Sequence, residues 1–239
     1  MKLNSLIEQL ELIAPPELAS PSDEGKIGLI LQGSETIDKI TVALDPTLKV
    51  IKRAVDSKAD ILITHHTLIW TPLTNIPVNI KKQLKLALEN DLSLYVLHTN
   101  YDVAQGGIND VLASLLALED VCEIGMGRMG NVKAINAADF AKFVSRKLKS
   151  RVQYIGDNTI RRVVVVGGSA FSYAIDAALE AGADALVSAE LKHSIIRQAE
   201  GKISLIDGTH YGTEAPAMRI LAERLHAEFI DDSPELFNV

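Results

Sequence analysis

A short apolar strand that ends in two adjacent histidines constrains this chain more than any other feature. Residues 61–64 read Ile-Leu-Ile-Thr, a run typical of a buried strand, and His65 and His66 follow directly. Ligands of open α/β sheets bind beyond the carboxyl ends of the strands. Neighbouring side chains of an extended chain point to opposite sides, so the two imidazoles are poorly placed to share one ion. We therefore expect the pair to serve two ions, one histidine each.

Two further predicted strands also end in polar residues. One precedes the sequence HTNYD, which contains His98 and Asp102, and the other precedes GTHYGTE, which contains His210 and Glu214. A histidine and a glutamate four positions apart lie on one face of a helix. Imidazole and carboxylate ligands suit Zn, Fe or Mn, and two ions about 3.5–4 Å apart can polarise a substrate oxygen and activate a water. Four of the six histidines follow predicted strands and have acids nearby, which indicates a metal site.

Each of these residues also has a structural interpretation that the sequence leaves open. A histidine pair at a strand end can be held by hydrogen bonds alone, and Asp102 lies near glycines that are typical of an Asx turn. His210 and Glu214 equally fit an exposed helix start, where the helix dipole stabilises a carboxylate. Trp70 either lines the site or packs in the core. The concentration of histidines and acids after strands favours the metal interpretation.

A glycine pair follows the most apolar predicted strand of the chain. Residues 162–166 are an arginine and four valines, and they lead into Gly167, Gly168 and Ser169. A phosphate-binding turn begins similarly, but the third glycine of the dinucleotide-binding fingerprint is missing. Ser169 also lacks the G-x-S-x-G setting of a nucleophile. The pair is therefore predicted to form a tight strand–helix turn.

Composition and charge narrow the class of protein. The chain has 239 residues, is 47% hydrophobic and carries a net charge of −7. It has no apolar run near the roughly 20 residues that span a bilayer, and an early amphipathic helix with Glu8 and Glu11 replaces a secretory signal. The single Cys122 excludes an internal disulfide and a zinc ribbon. We expect a cytoplasmic protein that binds no membrane and whose bulk charge disfavours nucleic acid.

Apolar periodicity and chain breakers predict two α/β halves. Asp45 is the candidate N-cap of a helix that starts at Pro46 and joins two parallel strands. Residues 121–130 are punctuated by glycines and are expected to connect the halves. The predicted helices are 4–13, 46–57, 79–90, 108–118, 137–149, 171–181, 190–200 and 215–229, and the predicted strands are 27–31, 40–44, 61–64, 93–97, 152–155, 162–166, 185–188 and 204–206.

The order of these segments resembles the Nif-three-like (Ngg1p-interacting-factor-three-like) family, whose members are also described as GTP cyclohydrolase 1 type 2 homologues. The matching stretches are IAPPELA, VALDPTLKVIKRAVDSKADILITHHTLIW, LHTNYDVAQGGIND, SAELKHSIIRQ and IDGTHYGTE, and they span nearly the whole chain. The chain departs from the family in SPSDEGKIGLILQG, where a Trp-Asp-Asn run is often found. It departs again at Ser194, where the family often has a second histidine.

The resemblance implies two linked α/β halves, 1–123 and 124–239, each a mostly parallel sheet flanked by helices, with a dinuclear metal site in the cleft between them. The last helix is expected to pack back on the first half. The resemblance implies ring-like hexamers built as trimers of dimers. It also implies a set of metal ligands, with Glu214 as the bridge, His65 and His210 on one ion, and His66 and Asp102 on the other.

Two functions are compatible with this set of residues. The first is a metal-dependent hydrolase of a small nucleotide-like substrate, of the GTP cyclohydrolase type 2 kind, in which His98 shuttles a proton. The second is a non-catalytic metal-binding scaffold or regulatory protein that acts as a hexameric ring. In both functions the chain would hold two divalent ions, and its ligand types suit Zn, Fe and Mn alike.

Overall fold

The computed structural model describes residues 1–235, which fold into two compact units. The first unit comprises Met1–Gln105 and the chain from Met218 onward, and the second comprises Gly106–Ala217. Each unit contains one β-sheet with flanking helices, which confirms the predicted α/β class with two sheets flanked by helices. The division of the chain at residue 123 stays a prediction. Within residues 1–235, no helix combines the length and the apolar character needed to cross a membrane.

The sheet of the first unit is mostly parallel, as predicted. Its order is β1-β4-β3-β2-β11, and among the described strands the pairing of β1 with β4 is antiparallel while the others are parallel. Short 3₁₀ turns at Pro16–Leu18 and Pro21–Asp23 follow the first helix. The elements are α1 (Leu3–Ile13), β1 (Gly28–Leu31), β2 (Ile40–Ala43), α2 (Leu48–Asp56), β3 (Ile61–Thr64), α3 (Val78–Leu88), β4 (Ser93–Val96), α4 (Thr99–Val103) and β11 (Glu228–Phe229).

Strand β3 lies in the middle of this sheet and is buried along its whole length. Its residue Leu62 belongs to a hydrophobic cluster with Val50 and Ile51 of α2 and with Ala87 of α3. Strands covered on both faces read as unbroken apolar runs, which explains why this strand is evident in the sequence. Each buried Leu, Ile or Val contributes about 1.5–3 kcal/mol relative to exposure. The packing fixes the carboxyl end of β3, where the histidine pair begins.

The start of α2 differs from the prediction. Thr47, not Asp45, is the N-cap residue, because its side-chain oxygen accepts a hydrogen bond from the backbone N–H of Val50 at 3.1 Å. Asp45 instead binds His66, as described below. The sequence Asp45-Pro46-Thr47 is compatible with Asp45 as a helix cap or as a partner of a histidine. Only the position of His66 in the structure distinguishes the two.

The sheet of the second unit is mixed. Its order is β5-β6-β8-β9-β10-β7, and three of its five described pairings are antiparallel, so the prediction of a mostly parallel sheet is wrong here. The elements are α5 (Ile108–Leu115), β5 (Glu119–Ile124), β6 (Gly127–Asn136), α6 (Ala137–Leu148), β7 (Gln153–Ile155), β8 (Thr159–Val165), α7 (Phe171–Glu180), β9 (Ala185–Ser188), α8 (His193–Ala199), β10 (Ser204–Asp207) and α9 (His210–Arg224), whose later part belongs to the first unit.

The predicted connector at 121–130 is a β-hairpin. Strands β5 and β6 pair antiparallel across a turn at Gly125, whose φ is +52°. β5 is an edge strand whose residues are almost all exposed, so it lacks the apolar alternation that identifies a strand. β6 then pairs antiparallel with β8, which makes the sheet mixed.

The valine run of β8 packs on both faces of the second sheet. Val163 and Val165 contact the cluster that contains Phe140 of α6. Val164 belongs to the cluster on the other side, with Phe171 of α7. Because helices cover both faces of the sheet at the valines, this part of the strand has no polar alternation. Its carboxyl end delivers the glycine pair to the edge where His210 and Glu214 also lie.

The end of α9 corrects the predicted last helix, 215–229. The helix begins at His210 and ends at Arg224. His226 has a left-handed φ of +51°, which breaks the helical path. Residues 228 and 229 then form β11, which pairs parallel with β2 in the first unit. The apolar spacing of the helix continues past its end, so periodicity alone does not show this break.

Candidate metal centre

The first unit brings three histidines together at the carboxyl ends of β3 and β4. His65 and His66 follow β3, and His98 follows β4, which is the parallel neighbour of β3. One ring nitrogen from each histidine lies within 4.8 Å of the others. The ring centroids of His65 and His66 are 4.9 Å apart, and those of His65 and His98 are 5.0 Å apart. The structure thus brings together three of the histidines that follow predicted strands.

The two adjacent histidines do not point to opposite sides. The strand ends at Thr64, and the backbone N–H groups of His65 and His66 both donate to the carbonyl oxygen of Leu44, at 3.1 and 3.0 Å. The Thr64 hydroxyl donates to the carbonyl oxygen of His66 at 2.7 Å. These bonds turn the chain at the pair, so the rings lie side by side with an interplanar angle of 55°. The expectation from an extended chain is therefore wrong in its geometry.

Every histidine of the candidate site uses Nδ1 to contact an oxygen. Carbonyl and carboxylate oxygens accept hydrogen bonds, so Nδ1 is the donor in each pair. The neutral tautomer with this proton carries its lone pair on Nε2. Metal-binding histidines show this arrangement, because it fixes the tautomer and the ring orientation. The pairs are His65 with the Leu97 carbonyl oxygen at 2.8 Å, His66 with Asp45 at 2.7 Å, His98 with Asp23 at 2.8 Å, and His210 with Glu190 at 2.6 Å.

Sequence reasoning missed the three carboxylates that hold these rings. Asp45 and Glu190 follow β2 and β9 by two residues, so the strand-end rule that identified the histidines could have identified both. Asp23 is the last residue of the 3₁₀ turn Pro21–Asp23, 75 positions before His98, and its neighbours in the sequence give no sign of this contact. Position after a strand could therefore have identified two of the three carboxylates, Asp45 and Glu190.

Asp23 and His98 form a buried pair. Asp23 is 2% exposed and accepts hydrogen bonds from His98 and from both the backbone N–H and the hydroxyl of Thr99. Burial opposes the ionisation of Asp23, but these contacts outweigh it and lower its pKa. Burial, followed by the neighbouring His65, lowers the pKa of His98 to about 4. His98 is therefore neutral at pH 7, with a lone pair on Nε2.

Asp102 lies on α4, and one of its carboxylate oxygens is 3.6 Å from Nε2 of His65. Two atoms that both carry lone pairs and approach each other in this way suit a shared cation. The 3.6 Å distance makes His65 a histidine that can share an ion with Asp102. This differs from the pairing that the family resemblance implied.

The second unit contributes His210 and Glu214 at the start of α9. Nε2 of His210 and a carboxylate oxygen of Glu214 are 3.2 Å apart, and Glu214 is 3% exposed. The helix begins at His210, so the predicted placement of both residues on one helix face is confirmed. The hydrogen bond from His210, against the opposing effect of burial, lowers the pKa of Glu190.

The glycine pair after β8 lies directly against these ligands. A Cβ atom on Gly168 would lie 2.2 Å from a carboxylate oxygen of Glu214 and 3.2 Å from Nε2 of His210, and the φ of Gly168 is +65°. Asn109 accepts a hydrogen bond from the N–H of Gly167 at 2.8 Å, and Thr213 accepts one from Gly168 at 3.0 Å. The pair therefore forms the predicted tight turn, and it also leaves space for the Glu214 carboxylate.

Backbone strain also accumulates around His210. Thr209, immediately before it, has a φ of +66°, and Glu190, which binds its Nδ1, has a φ of +63°. Left-handed backbone is unfavourable for a β-branched residue such as threonine. Thr209 is held there by Asp207, which accepts a hydrogen bond from its N–H at 2.9 Å. Strained residues of this kind cluster at functional sites.

The donor atoms of each unit fit a divalent cation. The first unit offers imidazole nitrogens and the Asp102 carboxylate, and the second offers His210 and Glu214. Neutral imidazole and carboxylate ligands bind Zn, Fe and Mn in proteins. The hydrogen bonds to Nδ1 of the histidines supply the supporting contacts that such ligands normally have.

Trp70 borders the histidines of the first unit. Its ring centroid lies 5.1 Å from that of His98 and 5.9 Å from that of His66. The side chain is 45% exposed, so the alternative in which Trp70 packs in the core is wrong. The prediction that it lines the site is the one consistent with these distances.

Comparison with known proteins gives matches along the whole chain. A family model described as Duf34/NIF3 (NGG1p interacting factor 3) matches residues 1–236. A relative from Methanocaldococcus jannaschii named GTP cyclohydrolase 1 type 2 homolog is 34% identical over 236 residues, which cover 94% of this chain and 95% of the relative. The solved structure of reduced HcgD from the same organism is 32% identical, with a TM-score of 0.85 and 96% of each chain covered. The structure of protein ybgI is 26% identical, with a TM-score of 0.91, and covers 98% of this chain and 99% of ybgI.

Proposed function

Because this chain belongs to the Duf34/NIF3 family, we propose that it is a hydrolase of a small nucleotide-like substrate that depends on two divalent metal ions. Membership confirms the family resemblance predicted from the sequence motifs. One observation carries the proposal. Each unit brings Nε2 of a histidine within 3.6 Å of a carboxylate oxygen, while Nδ1 of that histidine is held by another oxygen. The relatives' names, which contain GTP cyclohydrolase, support a nucleotide as the substrate.

The proposed ligands are neutral imidazoles and carboxylates, a set suited to Zn, Fe or Mn. Within the first unit, the distance of 3.6 Å supports His65 and Asp102 as ligands of the same ion. The location of the ions in a cleft, the hexameric ring and the cytoplasmic setting stay predictions. The five proposed ligands are His65, His66, Asp102, His210 and Glu214.

Divalent ions held by these ligands would act as Lewis acids on a substrate oxygen and lower the pKa of water. The protein's own proton acceptor would be Nε2 of His98. Asp23 accepts the hydrogen bond from Nδ1 of His98 at 2.8 Å, so it orients the ring and stabilises the positive charge that protonation creates. Thr99 holds Asp23 in turn, through its backbone N–H and its hydroxyl. His98 is thus the proposed catalytic residue, and Asp23 is its positioning residue.

Metal content tests the ligand set. We expect about two ions per chain in protein purified without added metal, measured by elemental analysis, and a large loss in Glu214→Ala. Glu223→Ala is the matched control, because Glu223 is an exposed glutamate on the same helix. Equal metal content in wild type and Glu214→Ala, or a similar loss in Glu223→Ala, would remove the basis of the proposal.

Turnover tests the hydrolase function itself. Metal-loaded protein should hydrolyse GTP or another nucleotide in a substrate screen, and His98→Gln should lower kcat by about 10²- to 10⁴-fold, the usual contribution of a general base. The variant should keep its metal, and His226→Gln, a change at an exposed histidine, should keep full activity. If the wild type holds two ions but converts no nucleotide or phosphoester, the protein is instead the metal-binding scaffold.

A further inference from the structure

Trp70 is an exposed aromatic side chain beside the candidate metal centre. It is the single tryptophan of the chain. Its ring makes an edge-to-face contact with His98, with an interplanar angle of 75°, and a tilted contact with His66. Large aromatic side chains usually bury most of their apolar surface, and 45% of Trp70 is exposed. The contacts with His66 and His98 hold one part of the ring, and the remaining surface faces solvent, where a ligand can contact it.

The segment that carries Trp70 is held in place on its inner side. Thr67 is buried, and its hydroxyl accepts a hydrogen bond from the N–H of Ile69 at 3.3 Å. Leu68 packs against the hydrophobic cluster of the first unit. The following residues, 71–79, are exposed. Because the inner residues are anchored, the indole is presented in a defined position, which lowers the entropy cost of binding a ligand.

From this geometry we infer that Trp70 is the stacking surface for the planar, nitrogen-containing ring of the substrate. The inference rests on the proposed function and specifies its substrate class, because a plain sugar phosphate or a phosphoester without a base has nothing to stack. Stacking of a nucleobase on an aromatic side chain typically strengthens binding by about 5- to 150-fold relative to alanine. Trp70 is therefore a specificity-determining residue rather than a catalytic one.

Tryptophan fluorescence tests the contact directly, because all tryptophan emission comes from Trp70. Metal-loaded protein is titrated with guanosine 5′-monophosphate and, in parallel, with ribose 5-phosphate, which lacks the base. We expect saturable quenching or a spectral shift with the first compound and none with the second. Equal responses to both compounds, or no response to either, would overturn the inference.

Variants test whether the stack contributes to affinity. Equilibrium dialysis with guanosine 5′-monophosphate should show weaker binding to Trp70→Ala by about 5- to 150-fold, and Trp70→Phe should recover most of the loss. Leu88→Ala is the control, because Leu88 is an exposed apolar residue of the same unit. If the protein turns over a nucleotide, Trp70→Ala should raise KM and leave kcat nearly unchanged. Unchanged affinity in Trp70→Ala would overturn the inference.

The outcomes separate this inference from the proposed function. Base-dependent binding without turnover supports the stacking role and removes the hydrolase function. Turnover that is insensitive to Trp70→Ala keeps the hydrolase and removes the stacking role. Three exposed apolar residues follow Trp70 closely in the sequence: Leu73, Ile76 and Val78. Exposed apolar residues can also form a contact between two copies of the chain, so the same experiments test Trp70 for that role. Emission that changes on dilution, together with a lower native mass for Trp70→Ala, would assign it to that contact and overturn the inference.

Discussion

At the scale of single residues, the oxygens that bind Nδ1 decide which nitrogen of each histidine is offered to a metal. Asp45 does this for His66, at 2.7 Å. We predict that Asp45→Ala lowers metal affinity about 10- to 100-fold, because His66 loses the partner that fixes its tautomer and orientation. A competition titration with a chromogenic chelator measures the change.

The control for this prediction is Asp56→Ala, which removes an exposed carboxylate near the end of α2. It changes the net charge by the same amount as Asp45→Ala but touches no histidine of the site. If both variants bind metal as the wild type does, or if both lose affinity equally, the hydrogen bond to His66 has no specific role.

At the scale of elements, the turn between β8 and α7 must come close to the first turn of α9. Gly168→Ala would place a methyl group 2.2 Å from a Glu214 oxygen, on a backbone with φ of +65°. We predict a loss of metal content, because the Glu214 carboxylate must move. We also predict a lower melting temperature, since the left-handed backbone alone costs about 1–2 kcal/mol. Elemental analysis and thermal unfolding measure the two effects.

Gly201→Ala separates the two causes in this prediction. Gly201 also has a left-handed φ, +69°, but an added Cβ there meets no atom within 4 Å. Gly201→Ala should therefore lower the melting temperature by a similar amount, because of the backbone conformation alone. It should leave the metal content unchanged. Equal metal content in both variants would show that the close approach of Gly168 to Glu214 does not matter.

At the scale of the whole molecule, the chain returns to the first unit after α9. β11 pairs with β2, and Asp232 accepts hydrogen bonds from the Thr47 hydroxyl at 2.6 Å and forms an ion pair with Lys49 at 2.7 Å. Burial raises the pKa of Asp232, but Lys49 and Thr47, helped by the charge of Arg53, outweigh it and lower the pKa below the ordinary 3.8. The ionised form is therefore the one that stabilises the fold.

This contact predicts a pH dependence of global stability. A carboxyl group with a lowered pKa stabilises the fold above the pKa of the unfolded chain, and the contribution is lost as the pH falls through the folded value. Asp232→Asn should thus lower the free energy of unfolding by about 1 kcal/mol at pH 7 and by less below pH 4. Urea unfolding at a series of pH values measures it. A difference between wild type and variant that does not change with pH would contradict the prediction.

Assembly is the other property of the whole molecule. The predicted hexamer gives a native mass six times that of one chain. Sedimentation equilibrium or light scattering on metal-loaded protein measures this mass, and a monomer or dimer at micromolar concentration would contradict the prediction.

Particular residues show how far sequence reasoning reaches. The apolar runs of β3 and β8 identify buried segments of strand, because a segment covered on both faces is almost entirely apolar. The histidines and acids that follow such strands then mark one edge of a sheet. The same reasoning does not find the edge strand β5, because all its residues except Ile124 are exposed and burial imposes no apolar pattern on them. Apolar periodicity likewise predicts an end of α9 that is too late. The helix is broken at His226 by a backbone conformation, and no change of polarity marks that position.

The sequence by itself determined the family, the α/β class and the residues that are able to bind metal. These depend on residue type, on order and on periodicity along the chain. Only the tertiary structure decided which oxygen holds each histidine ring, that Asp45 is a partner of His66 and not a helix cap, and that Asp23 supports His98 from 75 positions away. The physical reason is that a hydrogen bond forms between groups at a suitable distance and direction in space. The order of residues along the chain contains neither the distance nor the direction.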